Sequence, residues 1–285
     1  IGKTACDKGV PEEISSLSVT FKSNDLQSLE DLFKQYPHQI SCVITEPGKN
    51  FDGDTYDFLR EAINLTHKHG ALFILDEMIT GFKTAFPGSI TLYNLDADMA
   101  TWGKSVANGF SFCALTGKKE VMQWGSINRL GQEKLFLIST THGGETHSIG
   151  AGIATINCYR DLNVIKKNHA TGKALIDGCR NLLVQNQLAD FIQVSDSAWM
   201  PAFIFRDADG QVSQGYRTLF MQEMIKSGVL FQGIFVPSYS HNLYEVNYFL
   251  ESFEEALMVY KQAINTNYNN FLVGEPAKPV FRRFL

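Results

Sequence analysis

Two residues with useful chemistry stand at the ends of apolar runs. Lys104 follows Gly103 in "DMATWGKSVANGF", among Trp, Ser, Val and Ala, with few of the charged neighbours a lysine usually has. Asp76 closes the run "ALFILDE" and is followed by Met78 and Ile79. An amine withdrawn from water sheds its proton more readily and becomes a nucleophile. A carboxylate at a strand tip can hold a cationic partner, or it can cap the strand. Three readings compete for Lys104: a phosphate loop, a covalent anchor, and an ordinary lysine on a surface loop.

The phosphate loop fails on spacing. G-x-x-x-x-G-K-[ST] requires a glycine where this chain has Asp98, whose charge would repel phosphate oxygens, and Trp102 is too bulky for a close backbone wrap. Other motifs are weaker. In "HGGETH", His142 and His147 are not spaced for one helix face, so the run reads as a glycine turn and no metal is expected. His67 and His69 point in different directions from a helix end. The "GAG" at Gly150–Gly152 lies inside a helical pattern, without the strand that a dinucleotide fingerprint needs.

The elements that would position Asp76 and Lys104 follow from hydrophobic spacing. "SLEDLFKQYPHQ" predicts a helix through Leu29, Leu32 and Phe33, closed by Pro37. "SCVITE" predicts a buried strand ending at Glu46. "DTYDFLREAINLTHKHG" predicts an amphipathic helix with Asp54 as N-cap and Gly70 past its end. "ALFILDE" is the next strand, so Ser41 to Glu77 is strand–helix–strand, the unit of a parallel sheet. Ligands of such sheets gather beyond the carboxyl ends of the strands, where Asp76 lies. "DMATW" predicts a short strand leading to Lys104. "FSFCALTG" and "LFLISTTHGG" predict further strands, "KKEVMQWG" and "THSIGAGIATINCYRDL" helices, and "NVIKKNHATGKALIDGCRNLLVQNQ" a long bridging helix. From about Phe191 the pattern becomes α+β: strands in "FIQVS", "MPAFIFRDADGQ" and "VLFQGIFVPSYS", helices in "YRTLFMQEMIKSG" and "ESFEEALMVYKQAI". The expected organisation is a large α/β domain over 1–165, a bridging helix over 166–190 and a small C-terminal domain over 191–285.

Two strand ends of one parallel sheet can bring Asp76 and Lys104 to the same crevice. A pyridoxal cofactor needs this pair: a lysine forms an imine with its aldehyde, and a carboxylate keeps its pyridine nitrogen protonated. On spacing alone, a capped strand end and a loop lysine account for the pair equally well.

Three spaced motifs break that tie. "LFILDEMITGF", "DMATWGKSVANGFSFCALTGKKEVM" and "STTHGGETHSIGAGIATI" resemble, in order and spacing, the class III pyridoxal-phosphate aminotransferases, and most of all the glutamate-1-semialdehyde aminomutase branch. The resemblance is strong from Ile40 to Ile156 and looser to Phe271. It implies the fold-type I large domain, a mostly parallel sheet with helices on both faces, plus a smaller α+β domain. It implies Lys104 as the Schiff-base lysine and Asp76 as the partner of the pyridine nitrogen of pyridoxal 5′-phosphate, with pyridoxamine phosphate as intermediate. Met78 falls where the family packs an apolar side chain on one ring face, with core packing the alternative; Ile79 lines the pocket. Thr141 matches the threonine that reaches across a homodimer to the partner's cofactor phosphate. Glu46 is implied behind the site or as a structural residue, and Ser238, His241 and Glu245 on the substrate side, where no clear arginine awaits a second carboxylate.

The resemblance also implies substantial chain before Ile1, carrying the same-chain phosphate loop and a ring-stacking aromatic, neither of which has a counterpart in this sequence. The family's G-N-P turn is replaced by Gly144-Glu145-Thr146. The implied activity is amino-group transfer between a small-molecule donor and acceptor. The alternatives are an intramolecular aminomutase and a non-catalytic relative, against which the retention of both Lys104 and Asp76 argues. The 285 residues carry a net charge of −5 with no basic block, which speaks against a nucleic-acid surface. The apolar runs are far short of a membrane span. Five scattered cysteines without CxxC pairing suit a reducing cytoplasm.

Overall fold

The computed structural model describes residues 7–48, 53–128, 131–133, 135 and 141–278. It divides into two compact units, one over Thr20–Ile165 and one combining the residues up to Val19 with those from Lys166 onward. In chain order the helices and strands are α1 (Glu12–Ser15), α2 (Leu26–Gln35), β1 (Cys42–Thr45), α3 (Gly53–Lys68), β2 (Leu72–Asp76), α4 (Ser89–Leu92), β3 (Met99–Trp102), β4 (Ala114–Gly117) and α5 (Lys119–Met122). They continue with α6 (Thr146–Asp161), α7 (Val164–Gln185), β5 (Ile192–Val194), β6 (Phe203–Phe205), α8 (Gln214–Lys226) and α9 (Leu243–Asn265).

In the Thr20–Ile165 unit, β1–β2–β3 are parallel and β4 closes the sheet antiparallel. This is the expected strand–helix–strand unit, β1–α3–β2, extended by the two strands expected in "DMATW" and "FSFCALTG". Helix α3 starts at Gly53, so Asp54 lies in the first turn and does not cap it, where its charge still favours the helix N-terminus. Alternate strand residues Val43, Phe73 and Leu75 are buried against Leu29 and Phe33 of α2 and Phe58, Leu59, Ala62 and Ile63 of α3. The opposite sheet face carries Ile44 and Leu115 at 50% and 51% exposure. Apolar residues on both faces are the pattern of a parallel sheet made to be covered twice. The strand expected in "LFLIST" falls on residues outside those described.

Asp98, met above as the obstacle to a phosphate loop, ties this unit together. Its Oδ2 accepts from the Phe73 N–H at 2.7 Å and meets His67 Nε2 at 2.8 Å, while Lys118 Nζ lies 3.0 Å from Oδ1. Burial alone would raise its pKa, but the bonds from Phe73, His67 and Lys118 outweigh it and hold the carboxyl below its ordinary range. The native state therefore binds fewer protons than the unfolded chain near that range. Stability from this group is full above the ordinary aspartate value and is lost as pH falls through the lowered one. Asp98→Ala should destabilise the unit by about 1–3 kcal/mol, since it leaves the Phe73 N–H unpaired. Denaturant melts at neutral and acid pH check this; a gap between wild type and variant that does not narrow in acid would contradict it.

The second unit is built on aromatic packing. Phe203, Phe205, Phe220, Phe231, Phe249, Phe253 and Tyr260 are buried between the β5–β6 hairpin, α8 and α9. Tyr216 Oη donates to the Ala263 carbonyl at 3.0 Å, and Tyr260 Oη donates to that of Arg206. The expected strand in "VLFQGIFVPSYS" does not form. The segment meets the chain beside β6 at one bridge, Ala202–Ile234, flanked by bonds from Phe203 N–H to Gly233 and from Phe235 N–H to Pro201. Pro201 and Pro237 cannot donate to a longer ladder. Among the described residues, no helix is long and apolar enough to cross a membrane, and no cluster of three His, Cys, Asp or Glu residues could hold a metal.

Candidate active site

The tips of β2 and β3 lie side by side, with Asp76 in register with Thr101. Asp76 Oδ1 accepts from Thr101 Oγ1 at 2.7 Å and from the Met78 N–H at 3.0 Å. Among the described residues Oδ2 has no hydrogen-bond partner. The carboxylate is thus fixed through one oxygen and offers the other.

The segment after Asp76 folds over the end of β3. Glu77 points to the opposite face and is fully buried. It accepts from Thr80 Oγ1 and from the Ile90 N–H at 2.7 Å, with Ser89 also bonded to it. Burial raises its pKa, and these bonds oppose the rise. One buried carboxylate therefore pins both ends of the 77–90 segment. The sequence reading missed Glu77; the available signal was a second acid, one residue on from the site aspartate, with a threonine three residues later.

Two glycines let the strand tips interlock. A Cβ on Gly81 would lie 2.7 Å from the Glu77 carbonyl oxygen and 2.9 Å from Trp102 Cε3. One on Gly103 would lie 2.4 Å from Met78 Cε and 2.8 Å from Sδ. At Gly103 the obstacle is the mobile end of a methionine, whereas at Gly81 it is backbone and a buried indole. Gly81→Ala should therefore destabilise this unit by about 1–3 kcal/mol, read as a lower melting temperature. An unchanged melt would show that the β2 segment does not depend on this contact.

Lys104 opens a 3-10 turn, Lys104–Val106, at φ 49°, in the left-handed region. Trp102, Gly103, Val106 and Ala107 around it are buried, but Lys104 itself is exposed. The dry setting expected for this lysine belongs to its chain neighbours. The left-handed turn carries its side chain outward. Met78 is half-buried, with its side chain against Gly103 and its N–H on Asp76, so it joins Asp76 to the residue before Lys104. Ile79 is half-buried, and its carbonyl accepts from Lys83 Nζ at 2.8 Å. Burial first, and the Lys104 charge second, push Lys83 down to about 8.

The remaining expected residues are less engaged. Glu46 is exposed just past β1, and Thr141 is exposed ahead of α6; among the described residues neither has a hydrogen bond or ion pair to Asp76 or Lys104. Glu145 is the N-cap residue of α6, its carbonyl accepting from the Ile149 N–H at 3.0 Å, with His142 Nδ1 3.6 Å from its carboxylate. In the second unit the Ser238 N–H donates to His241 Nδ1 at 3.1 Å. The His241 ring packs on Phe235 with centroids 5.0 Å apart. Burial lowers the His241 pKa, against a smaller opposing effect of Glu245. Glu245 accepts from the Asn242 N–H at 2.9 Å and completes the capping box of α9. Its carboxylate is occupied in holding a helix start.

Comparison with known proteins places this geometry. The family profile described as Aminotransferase class-III matches residues 10–256. Glutamate-1-semialdehyde 2,1-aminomutase of Sulfurihydrogenibium azorense is 30% identical over 206 residues, 70% of this chain and 46% of that protein. The protein of the same name from Thermosipho africanus is 30% identical over 279 residues, 89% of this chain and 62% of that one. Among solved structures, the FumI protein of Sphingopyxis sp. MTA144, in its PLP internal aldimine form, superposes with a TM-score of 0.79 at 22% identity, covering 93% of this chain and 63% of that one. An omega-transaminase from Sphaerobacter thermophilus gives 0.77 at 18% identity, covering 89% and 60%. The fold is that of these two proteins, and the chain spans roughly half the length of the curated relatives it matches. With a profile match across most of its length, the chain belongs to the class-III aminotransferase family.

Proposed function

We propose that this chain carries the lysine and aspartate of a pyridoxal-phosphate-dependent site that moves an amino group on a small amino, keto or aldehyde substrate. The observation that carries it is the Asp76 carboxylate, fixed through Oδ1 with Oδ2 open, on the strand tip beside the one that leads into Lys104. These residues fit the cofactor: an open carboxylate oxygen can accept a ring N–H, and an exposed amine can be reached by an aldehyde. When bound, pyridoxal phosphate supplies a protonated ring that takes up the electron pair released at the substrate's α-carbon.

The protein's own part is positional and acid–base. Lys104 would be the residue that holds the cofactor's aldehyde, and its amine, when free, would take and return the proton at the substrate's α-carbon. Asp76 would keep the ring nitrogen protonated through Oδ2, with Thr101 and Met78 fixing its rotamer. Met78 would pack beside the ring. Thr141, in a homodimer with shared sites, would serve the phosphate of the partner's cofactor.

Reduction with borohydride tests the reading. Protein incubated with pyridoxal phosphate should show a visible band that disappears on reduction, with the label on Lys104 by peptide mass spectrometry. No band, or a label placed elsewhere, would overturn it. The names of the curated relatives favour a second form of the reaction, in which the amino group returns to another carbon of the same molecule. Glutamate-1-semialdehyde converted without any added amino acceptor would select that form. Turnover only with a separate donor and acceptor would select a two-substrate transaminase.

A further inference from the structure

Glu77 is a buried acid that the chemistry above does not use. Its side chain leaves the strand tip on the side opposite Asp76 and is fully buried. Its oxygens accept from Thr80 Oγ1, from the Ile90 N–H at 2.7 Å, and from the hydroxyl and N–H of Ser89. All of these partners donate and none is a cation, an arrangement that suits a side chain able only to accept, the ionised carboxylate. The backbone at Gly88 closes over it, since a Cβ there would lie 2.7 Å from Glu77 Cδ. A buried charge without a counter-ion is costly, and neutral groups could tie down a loop. Departures of this kind collect at functional positions.

The position served is that of Asp76. Asp76 Oδ1 is oriented by two donors, the Met78 N–H at 3.0 Å and Thr101 Oγ1 at 2.7 Å. Glu77 is attached to the carriers of both: Met78 follows it in the chain, and the Thr101 carbonyl accepts from the Glu77 N–H at 3.1 Å. The Glu77 carbonyl in turn accepts from the Gly81 N–H at 2.9 Å. Peptide and carboxylate of Glu77 together fix the turn that aims the Met78 N–H. We propose that Glu77 is a positioning residue whose carboxylate, held by Thr80, Ser89 and Ile90, sets the direction of the open Asp76 Oδ2 through Met78. It touches no ligand itself. The use made of that direction rests on the aminotransferase reading, whereas the coupling of Glu77 to Asp76 does not.

Amide hydrogen exchange of the cofactor-free protein reads the coupling, because the Met78 N–H exchanges when its bond to Asp76 opens. Glu77→Gln places an amide NH2 among donors. It should speed exchange at Met78 and Ile90 by about ten- to hundredfold, the scale of a hydrogen bond to a charged group. The Phe73 N–H, bonded to Asp98 in the same unit, should change little. Thr80→Val keeps the charge and removes one donor. It should move Met78 the same way by about three- to tenfold, and it decides the matter if Glu77→Gln does not fold. Equal rises at Met78 and Phe73, or a rise at Ile90 without Met78, would overturn the proposal. With pyridoxal phosphate, Glu77→Gln should need about tenfold more cofactor to form half of the visible band, with Thr80→Val between it and wild type. The Glu77→Gln band should also shift toward that of Asp76→Asn. Wild-type loading and band position with Met78 released would overturn the role in the site. No band in wild type would remove the aminotransferase reading and leave exchange to decide the coupling.

Discussion

Lys104→Ala should abolish amino transfer while leaving the fold intact. Removing a positioned base alone costs about 10²–10⁴-fold in rate, and here the same amine is also the covalent tether, so the loss should reach the upper end or exceed it. The stability side is separable because Lys104 is exposed and its left-handed φ of 49° favours no long side chain. Truncation there should shift unfolding by no more than about 0.5 kcal/mol. Lys104→Arg should fail as well, because a guanidinium is never neutral in a protein and cannot act as the nucleophile. The checks are single-turnover rate, the borohydride label and the melt on one preparation. Residual turnover within about tenfold of wild type, a fraction of the 10²–10⁴-fold due to the base alone, would remove Lys104 from the chemistry. A collapsed melt would instead make it structural.

How far this was legible in the sequence depended on whether neighbours in the chain are neighbours in space. Asp76 and Lys104 were visible because each ends an apolar run, and parallel strands bring such ends together. The setting of Lys104 was misread for the same reason. Apolar neighbours in sequence imply burial only while the backbone stays regular, and a left-handed residue opening a 3-10 turn redirects the side chain. Asp98 was recognised only for what it prevents. Its partners His67, Phe73 and Lys118 come from three separate elements, which no local pattern joins. Glu245 was the opposite case. Asn242 three residues before it is a capping-box signature, and that local explanation accounts for the carboxylate. Glu77 and Lys83 fell between these cases: both sit inside the best-matched motif, but burial and the reach of Lys104 appear only once the 77–90 segment is folded.

Asp76→Asn is the sharper test of the site, because it changes chemistry without changing shape. Asn Oδ1 can still accept from Thr101 Oγ1 and the Met78 N–H, so both bonds that orient the carboxylate survive. The change falls on the open oxygen, which becomes an amide N–H. A donor there cannot accept from a protonated ring nitrogen, so the ring would remain neutral and lose its capacity as an electron sink. A preorganised electrostatic partner of this kind is worth about 10²–10³-fold in kcat, and that is the expected loss, with the melt unchanged. Asp76→Ala removes the orienting bonds too and leaves the Thr101 hydroxyl without its acceptor, so it should combine the rate loss with about 1–3 kcal/mol of destabilisation. The difference between the two variants separates electronic from structural roles. Were Asp76 only a cap on the strand, Asn would retain full activity and Ala alone would be impaired, through stability.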